Sequence, residues 1–492
     1  MSYYNLREWL EAVESHGELV RVSGAHWDLE MSSISELVHG RGKAREPRPA
    51  LLFDDIPDYP KGYRTLFGML DSTWRMAKTL GLPEDPTDRM GLLRNWRNKA
   101  RDLRPIPPRF VSSGPVLENS LTGDDVDLLK FPVPRFHEHD RSRYFGTGHA
   151  VIHKDPESGW TNLGTYRNMV VDRNHLALHS TEGHHGHMIV FEKYFAKGQP
   201  APTAVAIGMD PLLFYLSCEP STPWGVSEYD VAGGIKGEPI EVIEGPYSGI
   251  PLPACAEIVI EGEMYPGEYV DEGPFGEWHG YYGNRGLQTV PEPVIRVNAI
   301  HYRNNPIFTC SQVAVPPHDT SLTRSLSTSE GIWRRLEAWG IPGLKGVWCH
   351  EMGDGQLFNV ISIEQLYPGH GRAVGVIASQ YPQSMGKWTV VVEEDIDPSN
   401  MEQIIWAMGT RILPDRQVHI IPHCRSSNVD TAIPAEMKRK GEARKWVTAG
   451  RIVVDACRDL EWRDDWYPIA RVSPGLRSEI FKKWEHVLSG LF

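Results

Sequence analysis

The sequence predicts an α+β protein in three parts: an N-terminal α/β unit over residues 1–110, a β-dominated central region over 111–320, and a C-terminal α/β domain over 321–492 that ends in a helix. Three observations predict it. The N-terminal part alternates a helical apolar period with short apolar runs. The central part carries short apolar runs cut so densely by Gly and Pro that barrels and sandwiches are the architectures that suit them. Beyond residue 320, helix and strand patterns alternate again, which argues a separate domain with a partly parallel sheet.

In the first part, Asn5 caps a helix whose Leu6, Trp9, Leu10 and Val13 share one face, and Gly17 ends it. Leu19–Val22, Leu51–Phe53 and Thr65–Gly68 read as strands. The basic stretch from Arg75 to Arg109, interrupted by Asp and Glu, reads as a solvated helical connector, closed by Pro105-Ile-Pro-Pro108. Central candidate strands are Ala150–His153, Met169–Val171, Ala204–Ile207, Ala256–Met264, Val294–Tyr302 and Ile307–Val313. In the third part, Glu330–Trp339 is a predicted helix followed by Gly340 and Pro342. Phe358–Ile363, Trp388–Glu393 and Val418–Ile421 read as strands, and Arg372–Ser379 as a short helix. Ser399 or Asn400 caps a helix running to Met408, and a last helix lies around Ser478–Leu488.

Composition excludes several classes. The 40% hydrophobic and 23% charged fractions are those of a soluble globular chain. A net charge of −13 argues against a nucleic-acid surface, which needs clustered Lys and Arg. No apolar run approaches the ~20 residues of a membrane span, and charges at Arg7 and Glu8 precede any apolar run, unlike a secretory signal. The six cysteines form no CxxC pair, which fits free thiols in a reducing cytoplasm.

Four segments carry polar groups in patterns that chemistry uses. They are Thr161-Asn162-Leu-Gly164-Thr165-Tyr166-Arg167, Thr181-Glu-Gly-His184-His185-Gly-His187, Ser227-Glu228-Tyr229-Asp230, and Asp271-Glu272-Gly-Pro-Phe-Gly-Glu277-Trp-His-Gly280. Each has a plain reading. Asn162 and Arg167 suit strand ends, Glu228 suits a turn cap, and Glu272 and Glu277 suit a solvated Gly-Pro turn. The histidine run from His179 to His187 suits a polar loop or a zinc site, although neither HExxH nor a thiolate pair accompanies it. Together they suggest more. Asn, His and Glu side chains suit a hard divalent ion that anchors a phosphorylated cofactor. An arginine beside two carboxylates can orient a substrate carboxylate, and a glutamate kept protonated by burial can deliver a proton to carbon.

In order, these segments resemble the UbiD-type family of reversible decarboxylases that use prenylated FMN. The likeness spans nearly the whole chain and includes Glu272-Gly-Pro-Phe-Gly-Glu277-x-His-Gly-Tyr281, Val390-Val-Val-Glu-Glu-Asp395-Ile-Asp397 and Ile405-Trp406-Ala407. The resemblance implies a central split β-barrel related to flavin reductases, an oligomerising C-terminal domain, and a homodimer or homohexamer. It implies that Arg167, Glu272 and Glu277 form the catalytic network, with Glu277 the proton carrier. Asn162, His185 and Glu228 become ligands of Mn²⁺ or Mg²⁺ at the cofactor phosphate, and Gly164, Thr165, Tyr166 and His184 line the flavin. K⁺ is expected near the Ser217–Ser221 loop, and a flavin prenyltransferase is expected to supply the cofactor.

The substrate is read from local features. His318, in Pro316-Pro-His-Asp-Thr320, sits where aromatic-acid members place a polar contact. Arg425 and Asn428 fall in a loop that is apolar in cinnamate-type members. The expected substrate is therefore a polar aromatic or heteroaromatic carboxylic acid, released with CO₂. The alternatives are a cinnamate-type decarboxylase, a metal-dependent hydrolase built on the histidine run, and a flavin-binding protein without chemistry.

Overall fold

The computed structural model describes residues 3–40, 47–84, 88–219, 222–283, 286–444 and 447–489. The opening helix is Leu6–His16. The Asn5 side chain accepts from the backbone N–H groups of Arg7 and Glu8, and Gly17 ends the helix at φ 83°, where a side chain would be strained. Behind it, Leu19–Ser23 and Ala50–Asp54 pair in parallel, and Arg64–Phe67 pairs antiparallel with the latter. The fourth strand of this sheet is Ile307–Thr309, parallel to Arg64–Phe67. The sequence pattern places this strand with the central region, since register across hundreds of residues leaves no local trace.

The basic connector is helical, over Thr73–Leu80 and Arg89–Arg101, but it is solvated only in part: Arg94, Arg101 and Arg109 are exposed, and other basic side chains are interior. Arg75 is fully buried, donating to Glu18 and to the carbonyls of Met69, Arg48 and Gly68. Arg97 is buried over the Trp333 ring. Long basic side chains here serve as interior donors.

The central region is a nine-stranded, wholly antiparallel sheet. It runs from Tyr144–Gly146 at one end, through Asn168–Val170, His175–Leu178, Val290–Tyr302, Ile258–Glu272, Ala201–Ile207 and His149–Lys154, to Thr161–Gly164 at the other. Asn119–Thr122 lies alongside Val290–Tyr302. The chain joins the two ends twice: Thr147–Gly148 links Tyr144–Gly146 to His149–Lys154, and Thr165–Arg167 links Thr161–Gly164 to Asn168–Val170. Such short links force the sheet to curl until its ends face each other across a seam without ladder hydrogen bonds.

Side chains alternate across this sheet with period two. Val205 and Ile207 face the inner core with Val151, Ile258 and Ile260. Ala204 and Ala206 face outward, into a core shared with the N-terminal unit and the C-terminal domain. The helix Pro211–Ser217, absent from the sequence reading, packs on this outer face, and the helix Glu228–Lys236, also missed, packs on Thr161–Gly164.

The C-terminal domain is a five-stranded mixed sheet in the order Leu344–Cys349, Phe358–Ile363, Trp388–Glu393, Val447–Asp455, Val418–Ser426, with the middle three strands parallel. The expected helix begins at Ser321, earlier than predicted, and ends at Ala338. Its Ser- and Thr-rich start has weak helix propensity; burial of Leu322, Ser325, Leu326 and Ser329 overrides that preference. The tail holds Pro474–Lys483 and Glu485–Leu488. No helix among the described residues is long and apolar enough to cross a membrane, and all six cysteines are free.

Candidate active site

Arg167 leaves the seam, and Glu272 is the last residue of Ile258–Glu272. Gly273, at φ 82°, turns the chain out of the strand. The loop beyond is pinned at several points. Asp140 accepts from the Gly276 N–H at 3.3 Å, Glu277 N–H donates to the Tyr281 carbonyl at 2.9 Å, and the Trp278 carbonyl meets His318 Nε2 at 3.0 Å. Both glutamates thereby reach one guanidinium. Arg167 Nε and Nη2 donate to Glu272 Oε1 and Oε2 at 2.8 and 2.9 Å, and Nη1 donates to Glu277 Oε1 at 2.5 Å. The Phe275 ring lies 5.0 Å from the guanidinium carbon.

The two glutamates differ. The Glu272 side chain is 1% exposed and its Oε1 also accepts from Tyr144 Oη at 2.9 Å; the Glu277 side chain is 14% exposed. Burial alone would push the Glu272 carboxyl up, but Arg167 and Tyr144 overcome it and hold it below its ordinary range. Burial likewise opposes the charge on Arg167, and Glu277 and Glu272 more than restore it. Burial and Glu272 push the Tyr144 hydroxyl far up, so it stays a donor. Three of the five guanidinium N–H groups are engaged by glutamates, which leaves two for a ligand carboxylate.

A second group gathers on Thr161–Gly164. Glu228, the first residue of its helix, is 2% exposed and accepts the Leu163 N–H at 2.7 Å, with the Asn162 amide alongside. No cationic side chain among the described residues pairs with it, and burial pushes its carboxyl up to about 8. Tyr166 Oη donates to Asn162 Oδ1 at 3.1 Å and accepts the Gly186 N–H at 2.9 Å, which ties the strand to the turn carrying His185. A Cβ on Gly164 or Gly186 would lie 2.5 or 2.4 Å from the Tyr166 ring, so only glycine fits at either place. His185 stands edge-on to Trp160 and Trp224, and burial lowers its pKa, favouring the neutral form. A buried carboxylate without a counter-charge, an amide oxygen and a neutral imidazole fit a hard divalent cation.

The remaining expectations land variously. The Thr165 N–H donates to the Ser217 carbonyl at 3.1 Å, and the Tyr166 ring is a buried brace. In the expected potassium loop, Pro220 and Ser221 lie outside the described residues. His318 is buried, with Nε2 on the Trp278 carbonyl and Asp354 3.4 Å away, so it faces the loop backbone. Arg425 is exposed and lies within the edge strand Val418–Ser426 rather than in a loop, its backbone paired with Thr448, and the half-buried Asn428 follows the strand. That segment stands near the Glu277 loop, since Lys438 and Asp430 both act on the charge of His279. The four histidines of the run have different nearest partners, although the other three all act on the charge of His184: His179 meets Glu292, His184 lies by Tyr166, His185 by the tryptophans, and His187 stacks on Phe191; the one metal-holding group of His, Cys, Asp and Glu among the described residues takes only His179 from the run. The zinc site that the hydrolase alternative needs is therefore not formed by this run. Tyr144, Phe275 and the His179–Glu292 pair escaped the sequence reading; only the histidine run and the Gly-Pro-Phe-Gly context flagged two of them.

A buried guanidinium shared by two carboxylates, with N–H donors to spare, can orient a ligand carboxylate, the group a carboxy-lyase must hold. The chain belongs to the UbiD family. It matches the 3-octaprenyl-4-hydroxybenzoate carboxy-lyase N-terminal domain over residues 10–91, the Rift-related domain over 109–316 and the C-terminal domain over 322–456. It is similar to the pyrrole-2-carboxylic acid decarboxylase of Pseudomonas aeruginosa, 32% identical over 92% of this chain and 91% of the relative. Among solved structures it resembles vanillic acid decarboxylase of Sedimentibacter hydroxybenzoicus in open form, with TM-score 0.83, 26% identity, and 100% and 99% of the two chains covered. It also resembles an evolved dimeric form of the UbiD-class enzyme HmfF from Pelotomaculum thermopropionicum in complex with prenylated FMN, with TM-score 0.79, 27% identity, and 96% and 98% covered.

Proposed function

We propose that this protein is a reversible decarboxylase of a polar aromatic or heteroaromatic carboxylic acid, working with prenylated FMN. The observation that carries the reading is the Arg167 guanidinium, shared between a fully buried and a partly buried glutamate with two N–H groups left over. Relatives acting on pyrrole-2-carboxylic and vanillic acids support the substrate class, and the relative solved with prenylated FMN supports the cofactor. The split-barrel relation to flavin reductases is part of this reading; the curled, seamed sheet agrees with it.

Prenylated FMN, when bound, supplies the electron sink that lets an sp² carbon lose CO₂. Asn162, His185 and Glu228 would hold Mn²⁺ or Mg²⁺ at its phosphate, with K⁺ close to Ser217. The protein's own residues do the rest. The free Arg167 N–H groups clamp the substrate carboxylate in the orientation for cleavage. Glu272, fixed by Arg167 and Tyr144, keeps that guanidinium in place. Glu277, whose second oxygen makes no hydrogen bond among the described residues, transfers a proton to the carbon that loses CO₂ and is reprotonated from the cleft. Run backwards, the same steps carboxylate. Assembly as a homodimer or homohexamer and supply by a flavin prenyltransferase complete the proposal.

The test is turnover in D₂O by protein co-expressed with a flavin prenyltransferase, on a panel of phenolic, pyrrole, furan, phthalic and cinnamic acids. Deuterated product from the phenolic or heteroaromatic acids is expected. In Glu277→Gln, incorporation should fall by about 10²-fold or more with flavin still bound. Turnover confined to cinnamates, or a fully active Glu277→Gln, overturns the reading.

A further inference from the structure

One histidine of the run has a place in the network. His179 follows the strand His175–Leu178, and its backbone N–H donates to the Arg167 carbonyl at 3.0 Å. Its ring Nδ1 lies 2.6 Å from Glu292 Oε1. Glu292 sits on Val290–Tyr302, two residues from Val290, which pairs with Glu272; Glu292 and Glu272 therefore share one face of the hairpin as diagonal neighbours. One ligand atom from each of His179, Glu272 and Glu292 lies within 4.8 Å of the others.

Glu292 is thus a third carboxylate beside the pair that Arg167 serves. Arg167 serves Glu272 and Glu277, while the Glu292 side chain, 11% exposed, sits close enough to repel Glu272. The imidazole is the group placed to relieve this, because it bonds Glu292 and has a ring nitrogen within 4.8 Å of a Glu272 oxygen. The other titratable groups facing the set are Tyr144 on Glu272, Asp140 at the Gly276 N–H, His279 by Glu277, His184 by His179 and His187 by Glu292.

We propose that His179 and Glu292 are positioning residues of the decarboxylase site: the imidazole, held by Glu292 beside Glu272, keeps Glu272 locked on Arg167 and leaves Glu277 as the carboxyl that carries the proton. This rests on the function proposed above.

The experiment reads Glu277 directly. The carboxyl infrared band of the wild-type protein minus that of Glu277→Gln is titrated with pH, then repeated in His179→Gln, Glu292→Gln and the double variant. If the pair is imidazolium–carboxylate, His179→Gln strands a negative charge and moves the Glu277 titration up by about one pH unit, a tenfold change. Glu292→Gln strands a positive charge and moves it down, and the double variant returns near the wild-type value. With pyrrole-2-carboxylic or vanillic acid as probe, the pH profile of kcat follows the same order while KM changes less than about threefold. A purely structural pair would not move the two single variants in opposite directions. Unmoved titrations, or shifts of the same sign in both single variants, overturn the proposal. So does a stoichiometric metal lost in His179→Gln and retained in His185→Ala. If instead Glu277→Gln keeps full activity, the proposed proton carrier fails, whatever the His179 and Glu292 variants show.

Discussion

Replacing Arg167 by Met keeps most of the stem against Phe275 and removes the charge from a carboxylate that is 1% exposed. Breaking a buried ion pair on one side costs about 3–5 kcal/mol. Glu272 can escape by taking up a proton, and for a carboxyl of ordinary value near 4.3 this costs about 4 kcal/mol at pH 7. The expected loss in Arg167→Met is therefore about 3–4 kcal/mol at pH 7, shrinking by about 1.4 kcal/mol per pH unit on acidification and small near pH 5. The sign follows from the variant: Arg167 and Tyr144 hold Glu272 below its ordinary range in the wild type, whereas without the arginine burial pushes it above that range, so acidification relieves the variant and leaves the wild type unchanged over this window. The wild-type contribution of Glu272 is present above about pH 4.3 and is lost as pH falls through the folded-state value. The assay is urea unfolding of the apoprotein by tryptophan fluorescence between pH 5 and 8. Arg167→Met with Glu272→Gln should recover most of the loss, because the stranded charge is gone. A variant within about 0.5 kcal/mol of wild type at pH 7, or a deficit that does not shrink with acidification, refutes the reasoning.

Tyr166→Phe removes the hydroxyl between Asn162 and Gly186 and strands a buried N–H; a loss of about 1–3 kcal/mol in urea unfolding and about 10–100-fold weaker Mn²⁺ retention by elemental analysis are expected. Gly186→Ala drives a methyl into the Tyr166 ring and should cost about 1–3 kcal/mol in the same unfolding assay. Burial lowers His149 to about 4 and His153 to about 3, so below about pH 6.5 the unfolded chain binds protons that the folded one cannot. Stability should therefore fall from about pH 6.5 towards 4, and His153→Leu should flatten the curve, as followed by thermal unfolding.

Local pattern carried far in this chain. The Asn5 cap, Gly17 stop and apolar stripe of the first helix rest on contacts within a few residues, and so does Trp388–Glu393. The order of the four polar segments likewise marked Arg167, Glu272 and Glu277, and the structure brings all three together. What escaped depends on distant partners. Ile307–Thr309 takes its place from Arg64–Phe67, the early start of Ser321–Ala338 from burial of hydroxyl-bearing residues, and the interior role of Arg75 from Glu18.

The site divides in the same way. Sequence alone determined which side chains are available and that a tight Gly-Pro-Phe-Gly loop spaces the two glutamates, because residue type and turn chemistry are local. Tertiary structure decided that Glu272 is buried and bidentate while Glu277 keeps some solvent exposure, that Tyr144 holds the first of them, and that His179 bonds Glu292. The reason is physical: the charge state of a carboxyl depends on how much water remains around it and on which opposite charge stands beside it, and both are set by the curl of the sheet that brings the seam against the hairpin.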